Sequence, residues 1–185
     1  MATDAGSRGF TGRAGNESAP MAGWKAPPAR VVKVNTNVSL SASGECGMGL
    51  VARDSRGRVL ASVAAREFHS LTIAVTEGIV VKWAIRLALD LVFKDVIFET
   101  DNMQVVSAWS TFSSNFSYLA SVVSDCVALF SSFSSFSLCH VRRGANKAAD
   151  FMAKYALSGQ CFVWIDDAPH ALEGILSMDV AAISS

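Results

Sequence analysis

Three carboxylates in this chain fall on three different predicted elements, at positions where a carboxylate is either awkward or useful. Glu77 sits on the apolar stripe of its own helix. With it as origin, offsets of 3, 4, 7, 10, 11 and 14 give Val80, Val81, Ala84, Leu87, Ala88 and Leu91. A charge on that side needs a partner, because a buried unpaired ion costs several kcal/mol. A helix-end cap or a salt bridge would serve, and so would a metal ion shared with other acids. Asp101 follows the apolar run Asp95-Val-Ile-Phe-Glu-Thr100, at a strand end of the kind where α/β sheets place their sites. It can equally cap the helix behind it. Asp150 lies one turn into the last predicted helix, where negative charge also complements the helix dipole. Carboxylates are the donors suited to Mg²⁺ or Mn²⁺, and a pair of such ions can activate water and stabilise the leaving oxygen of a phosphodiester. Arg142, Arg143 and Lys147 form the best local basic cluster, beside Asp150, suited to phosphates or simply to a solvated loop.

The elements that must position these acids follow from periodicity and turn chemistry. Arg30-Val-Val-Lys-Val34, Gly47-Met-Gly-Leu-Val-Ala52 and Arg58-Val-Leu-Ala-Ser-Val63 read as strands, joined closely enough to form an antiparallel meander. The polar turn Asp54-Ser-Arg-Gly57 separates the second from the third. The Glu77 helix comes next, then the strand Asp95–Thr100 and a short helix from Asp101 to about Trp109. Ser114 caps a further predicted helix carrying Phe116, Leu119, Val123, Cys126 and Phe130. Phe136-Ser-Leu-Cys-His-Val141 is a fifth predicted strand, with His140 as one of its residues rather than a proton carrier. Asn146 caps a last helix to about Leu157, and Gly159 stops it. The order βββαβααβα predicts an α/β fold with a five-stranded mixed sheet flanked by helices.

Length and composition fit one domain with tails. The chain has 185 residues, of which 51% are hydrophobic, enough to bury a sizeable core. Residues 1–29 are rich in Gly, Ala, Ser and Pro and read as a flexible leader, 30–158 as the domain and 159–185 as a C-terminal extension. Formal charge is zero, so attraction to nucleic acid must come from a local patch. The four cysteines are scattered without CxxC spacing, which fits reduced thiols in a reducing compartment. Glu77, Lys82, Arg86 and Asp90 interrupt the apolar run from Leu71 to Phe93 and exclude a membrane span there, and no signal-peptide core is present. An intracellular, non-secreted monomer is the expectation. Trp24, Trp83, Trp109 and Trp164 fall into no stacking pattern.

Several stretches together resemble ribonuclease H, specifically the plant RNase H-like domains related to the reverse transcriptases of retroelements. They are Lys33-Val-Asn-Thr-Asn37, Gly47-Met-Gly-Leu-Val-Ala-Arg-Asp-Ser-Arg-Gly57, Thr76-Glu-Gly78, Phe98-Glu-Thr-Asp-Asn-Met-Gln-Val-Val106 and His140-Val-Arg-Arg-Gly-Ala-Asn-Lys-Ala-Ala-Asp150. The resemblance implies an RNase H-like fold, four acids holding Mg²⁺, and hydrolysis of the RNA strand of an RNA–DNA hybrid. The family's helix glutamate falls on Glu77, the aspartate after its fourth strand on Asp101, and the aspartate of its last helix on Asp150. Its first-strand aspartate falls on Asn37, an amide that binds a hard cation less strongly. Two expectations follow. One is a hybrid- or structured-RNA-binding domain with Mg²⁺-dependent hydrolysis weakened at Asn37. The other is a catalytically degenerate binding or protein-interaction module.

Overall fold

Alternating and continuous apolar runs build a single sheet in the computed structural model, which describes residues 23–68, 71–111 and 118–182. Strands β1 (Val32–Leu40), β2 (Glu45–Arg53) and β3 (Val59–Phe68) form the antiparallel meander. Between β2 and β3, Asp54 Oδ1 accepts from the backbone N–H groups of Arg56 and Arg58, and Gly57 supplies the positive φ of 79° that the turn requires. Helix α1 (Ile73–Asp90) follows, its first turn capped by the Thr72 hydroxyl. Then come β4 (Asp95–Thr100), α2 (Met103–Thr111), α3 (Tyr118–Phe130), β5 (Ser135–His140) and α4 (Lys147–Leu157). β4 pairs parallel with both β1 and β5, and the chain reaches it from β3 by a crossover through α1. Ser114 and Phe116, the expected start of the third helix, lie outside the described residues.

The sheet has six strands rather than the five expected. Phe162–Ile165, in the segment read as an extension, forms β6 and pairs antiparallel with β3, giving the order β5-β4-β1-β2-β3-β6. Four residues are too few to show a period against neighbouring apolar positions, so only pairing reveals the strand. Helix α5 (Glu173–Ala181) closes the described chain. Among the described residues no helix is long and apolar enough to cross a membrane.

Helices cover both faces. α1, α2 and α3 bury Val81, Ile85, Trp109, Val123 and Phe130 against Val34, Leu50 and Phe98. On the opposite face α4 packs Met152 and Ala156 against Val51 and Val59, with Leu172 ahead of α5 completing this second core. α4 approaches β2 at backbone contact. A Cβ at Gly47 would lie 2.0 Å from the Ala153 carbonyl oxygen, and one at Gly49 would lie 2.1 Å from that of Ala149. Two glycines on the strand and two alanines on the helix therefore set the height of α4, and with it the position of Asp150.

Candidate functional site

The predicted acids all lie toward the end of the sheet where the β1–β4 ladder stops. Its last paired residues are Thr36 and Thr100, and β1 continues four residues further without β4 beside it. The Val38 N–H just past that point is taken by Glu77, whose Oε1 accepts it at 2.9 Å. The other oxygen, Oε2, accepts from the Thr100 hydroxyl at 3.3 Å. Glu77 thus reaches from α1 to the ends of both strands, almost fully buried. Asp101, directly after β4, lies close enough for its charge to act on Glu77. Its Oδ2 also faces the Arg143 guanidinium at 3.4 Å.

Asp150 comes from the opposite face of the sheet, on α4. Its Oδ1 accepts from the Asn37 side-chain amide at 3.2 Å, and its Oδ2 from the Lys154 ammonium at 2.6 Å. Asn146, expected to cap α4, makes no side-chain cap. Its Nδ2 donates instead to the Thr36 carbonyl of β1 at 2.9 Å, because the residue is buried between helix and strand and that carbonyl is the acceptor in reach. This bond ties the start of α4 to β1 one residue before Asn37. Arg142, Arg143 and Lys147 are exposed around the same helix start, and His140 is the exposed last residue of β5.

The structure therefore joins Asn37 to Asp150 and sets Glu77 within electrostatic reach of Asp101, but it does not gather three acids into one ligand set. Among the described residues, no group of three His, Cys, Asp or Glu side chains stands close enough to hold a metal ion. The donor set points the same way. Asp150 is engaged through both oxygens, Asp101 faces a guanidinium, and burial raises the Glu77 carboxyl above the ordinary carboxylate range. As arranged here, these residues do not fit a divalent cation.

Burial pushes the Glu77 carboxyl from 4.5 up to about 8; the Val38 N–H works against that rise, the Asp101 charge adds to it, and the Thr100 hydroxyl opposes it. A folded-state value above the unfolded one contributes stability that is full below the unfolded value and is lost as pH rises through the folded one. Here that window runs from about 4.5 to about 8. In chelator, the natural chain should lose stability across it, and Glu77→Gln should flatten the dependence. The variant should then be the more stable protein at pH 8, by a few kcal/mol at most. Thermal melts at several pH values would show this. Parallel slopes for the two proteins would mean that Glu77 is ionised throughout.

Sequence reasoning passed over the residues behind these acids, although a signal was present. Lys33, Asn35 and Asn37 alternate along β1, a central strand whose other face carries Val32 and Val34. A polar row at period two on a strand covered on both sides implies a hydrogen-bonded network. Asn35 Nδ2 donates to Glu99 Oε2 at 2.9 Å, and the Lys33 ammonium pairs with Glu99 Oε1 at 2.7 Å.

Known proteins are similar to this chain in sequence profile and in fold. The profile of the reverse transcriptase-like family matches residues 34–156. RNase H1 from the halophilic archaeon Halobacterium salinarum NRC-1 superposes with a TM-score of 0.64 at 22% identity, covering 70% of this chain and 99% of that one. The N-terminal RNase H domain of rv2228c from Mycobacterium tuberculosis gives 0.62 at 22% identity, covering 70% and 94%. LC11-RNase H1, solved in complex with an RNA/DNA hybrid, gives 0.61 at 18% identity, covering 69% and 97%. No curated protein sequence matches significantly. At these identities the structural likeness speaks for the fold.

Proposed function

The chain belongs to the reverse transcriptase-like family, with an RNase H-like fold, and from that premise we propose that it binds RNA–DNA hybrid or structured RNA with its hydrolytic chemistry disabled at Asn37. The observation that carries this reading is the Asn37–Asp150 bond. Two carboxylates placed this close would repel unless a cation lay between them. The Asn37 amide donates to Asp150 directly, at 3.2 Å, so the pair needs no ion. Lys154 and Arg143 supply positive charge opposite Asp150 and Asp101, and the site is close to neutral without a metal. The hybrid held by LC11-RNase H1 suggests the ligand class. Recognition would run through phosphates and 2′-hydroxyls, with Arg142, Arg143 and Lys147 meeting the backbone at the helix start.

Fluorescence anisotropy with a labelled hybrid, in chelator and over a series of salt concentrations, tests the binding. The natural chain should bind, with affinity falling as salt rises. Reversing charge at Arg142 and Arg143 should weaken binding and lower the salt slope by roughly one for each phosphate no longer neutralised. Absence of binding to both hybrid and structured RNA would sink the reading.

A second reading, slow Mg²⁺-dependent hydrolysis of the RNA strand, has one observation in its favour. The cations opposite the two aspartates are surface side chains, Arg143 95% and Lys154 64% exposed. Such pairs are worth little, about 0–1 kcal/mol, and would yield to a stronger ligand.

A further inference from the structure

One row behind Asn37, on the same face of the sheet, a buried polar network joins the two ends of the described chain. Its centre is Arg53, the last residue of β2, which is 1% exposed. Its Nη1 donates to Asp179 Oδ2 of α5 at 2.7 Å, and its Nη2 to Asn35 Oδ1 at 3.2 Å. The ring of Trp24, also buried, lies 3.8 Å from the guanidinium carbon, and its indole N–H donates to the same Asn35 Oδ1 at 3.1 Å. Asn35 then reaches across to Glu99, its register partner on β4. Glu99 is closed off by Lys33, whose ammonium also donates to the Lys25 carbonyl at 2.7 Å.

Asn35 and Glu99 stand two residues before Asn37 and Asp101 on adjacent parallel strands. Their side-chain bond is therefore the last lateral tie on this face before the ladder ends and the site begins. Asn35 Oδ1 accepts from both Arg53 and Trp24, which fixes the orientation of the amide and leaves its nitrogen aimed at Glu99. Asp179 is the carboxylate that pairs the Arg53 guanidinium at hydrogen-bonding distance, and Arg53 Nε has no partner among the described residues. The arginine thus takes its hydrogen-bonded counter-charge from α5, while Glu99 acts on it through space.

We propose that Arg53 is a positioning residue for the candidate site: held by Asp179 of α5 and packed over Trp24, it orients Asn35 and so sets the β1–β4 spacing that brings the Val38 N–H to Glu77. The C-terminal helix and the segment ahead of β1 thereby govern the site without touching it.

A double substitution in the full chain separates positioning from stability. Arg53→Met and Asp179→Leu should each lower the melting temperature by roughly 10 °C, because each leaves a buried charge without its partner. The double variant Arg53→Met/Asp179→Leu removes both charges and should melt near the natural chain. The readout that a structural role alone would not move is hydrogen exchange of the Val38 amide, the donor to Glu77. It should remain about tenfold faster in the double variant than in the natural chain, although the melting temperature has recovered. Recovery of Val38 protection along with the melting temperature would overturn the proposal, reducing the network to a stabilising clasp. Single variants that melt like the natural chain would overturn it too, since the Arg53–Asp179 pair would then not be holding anything.

Discussion

A labelled RNA–DNA hybrid incubated in Mg²⁺ should survive the natural chain and be cut by Asn37→Asp. The substitution exchanges an N–H donor for a second carboxylate beside Asp150, where Asn37 now satisfies Asp150 Oδ1 at 3.2 Å. Two like charges at that distance call for a cation, and Arg143 and Lys154 are exposed enough to swing aside for one. Groups that merely orient metal ligands cost 10–100-fold when lost, so restoring a ligand itself should raise cleavage by about 100-fold or more. Adding Asp150→Asn to Asn37→Asp should abolish the gain. Melting supplies an independent readout. Without metal, Asn37→Asp should melt below the natural chain, and millimolar Mg²⁺ should raise it again, because a ligand that binds only the folded state stabilises it. The natural chain should respond little. Cleavage by the natural chain that Asp150→Asn removes would favour slow hydrolysis with three acids. Silence from both proteins would place the defect beyond Asn37, in the dispersed arrangement of Glu77, Asp101 and Asp150.

Gly49→Val should come close to unfolding the domain. A Cβ at Gly49 meets the Ala149 carbonyl oxygen at 2.1 Å and the Ala153 nitrogen at 2.3 Å, both backbone atoms of α4. No side chain can rotate away to make room, so the helix itself must lift off the sheet. Overpacking a core ordinarily costs 1–3 kcal/mol, and a clash with rigid backbone should exceed that, at about 3 kcal/mol or more and a melting temperature lower by roughly 10 °C. Lifting α4 also separates Asp150 from Asn37 and Asn146 from the Thr36 carbonyl. Hybrid affinity should therefore fall even at temperatures where the variant is still folded. Gly174→Ala is the control, because nothing lies within 4 Å of a Cβ there. It sits in the first turn of α5 and should be neutral or slightly stabilising. A Gly49→Val protein that melts with the natural chain would mean that α4 stands further from β2 than the structure has it.

Much of the architecture was legible because the rules that build its elements are local. The stripe from Val80 to Leu91 marks α1, the apolar run ending at Thr100 marks β4, and the turn at Asp54–Gly57 separates β2 from β3, each from neighbours within a few residues. The same periodicity singled out Glu77, a carboxylate on the buried side of a helix. By itself, then, the sequence determined the element order through α4 and the elements that carry Glu77, Asp101 and Asp150. It could not determine which groups meet, because that depends on register and on bonds between residues 39, 64, 113 or 126 positions apart. Only the tertiary structure gave Glu77 the Val38 N–H, turned the Asn37 amide toward Asp150, drew Asn146 from its cap to β1, and paired the four residues of β6 with β3. Only it brought both Trp24 and Asp179 into contact with Arg53. Each of these outcomes satisfies a buried polar group with whatever partner the packed sheet brings within reach, and that partner is set by the fold as a whole.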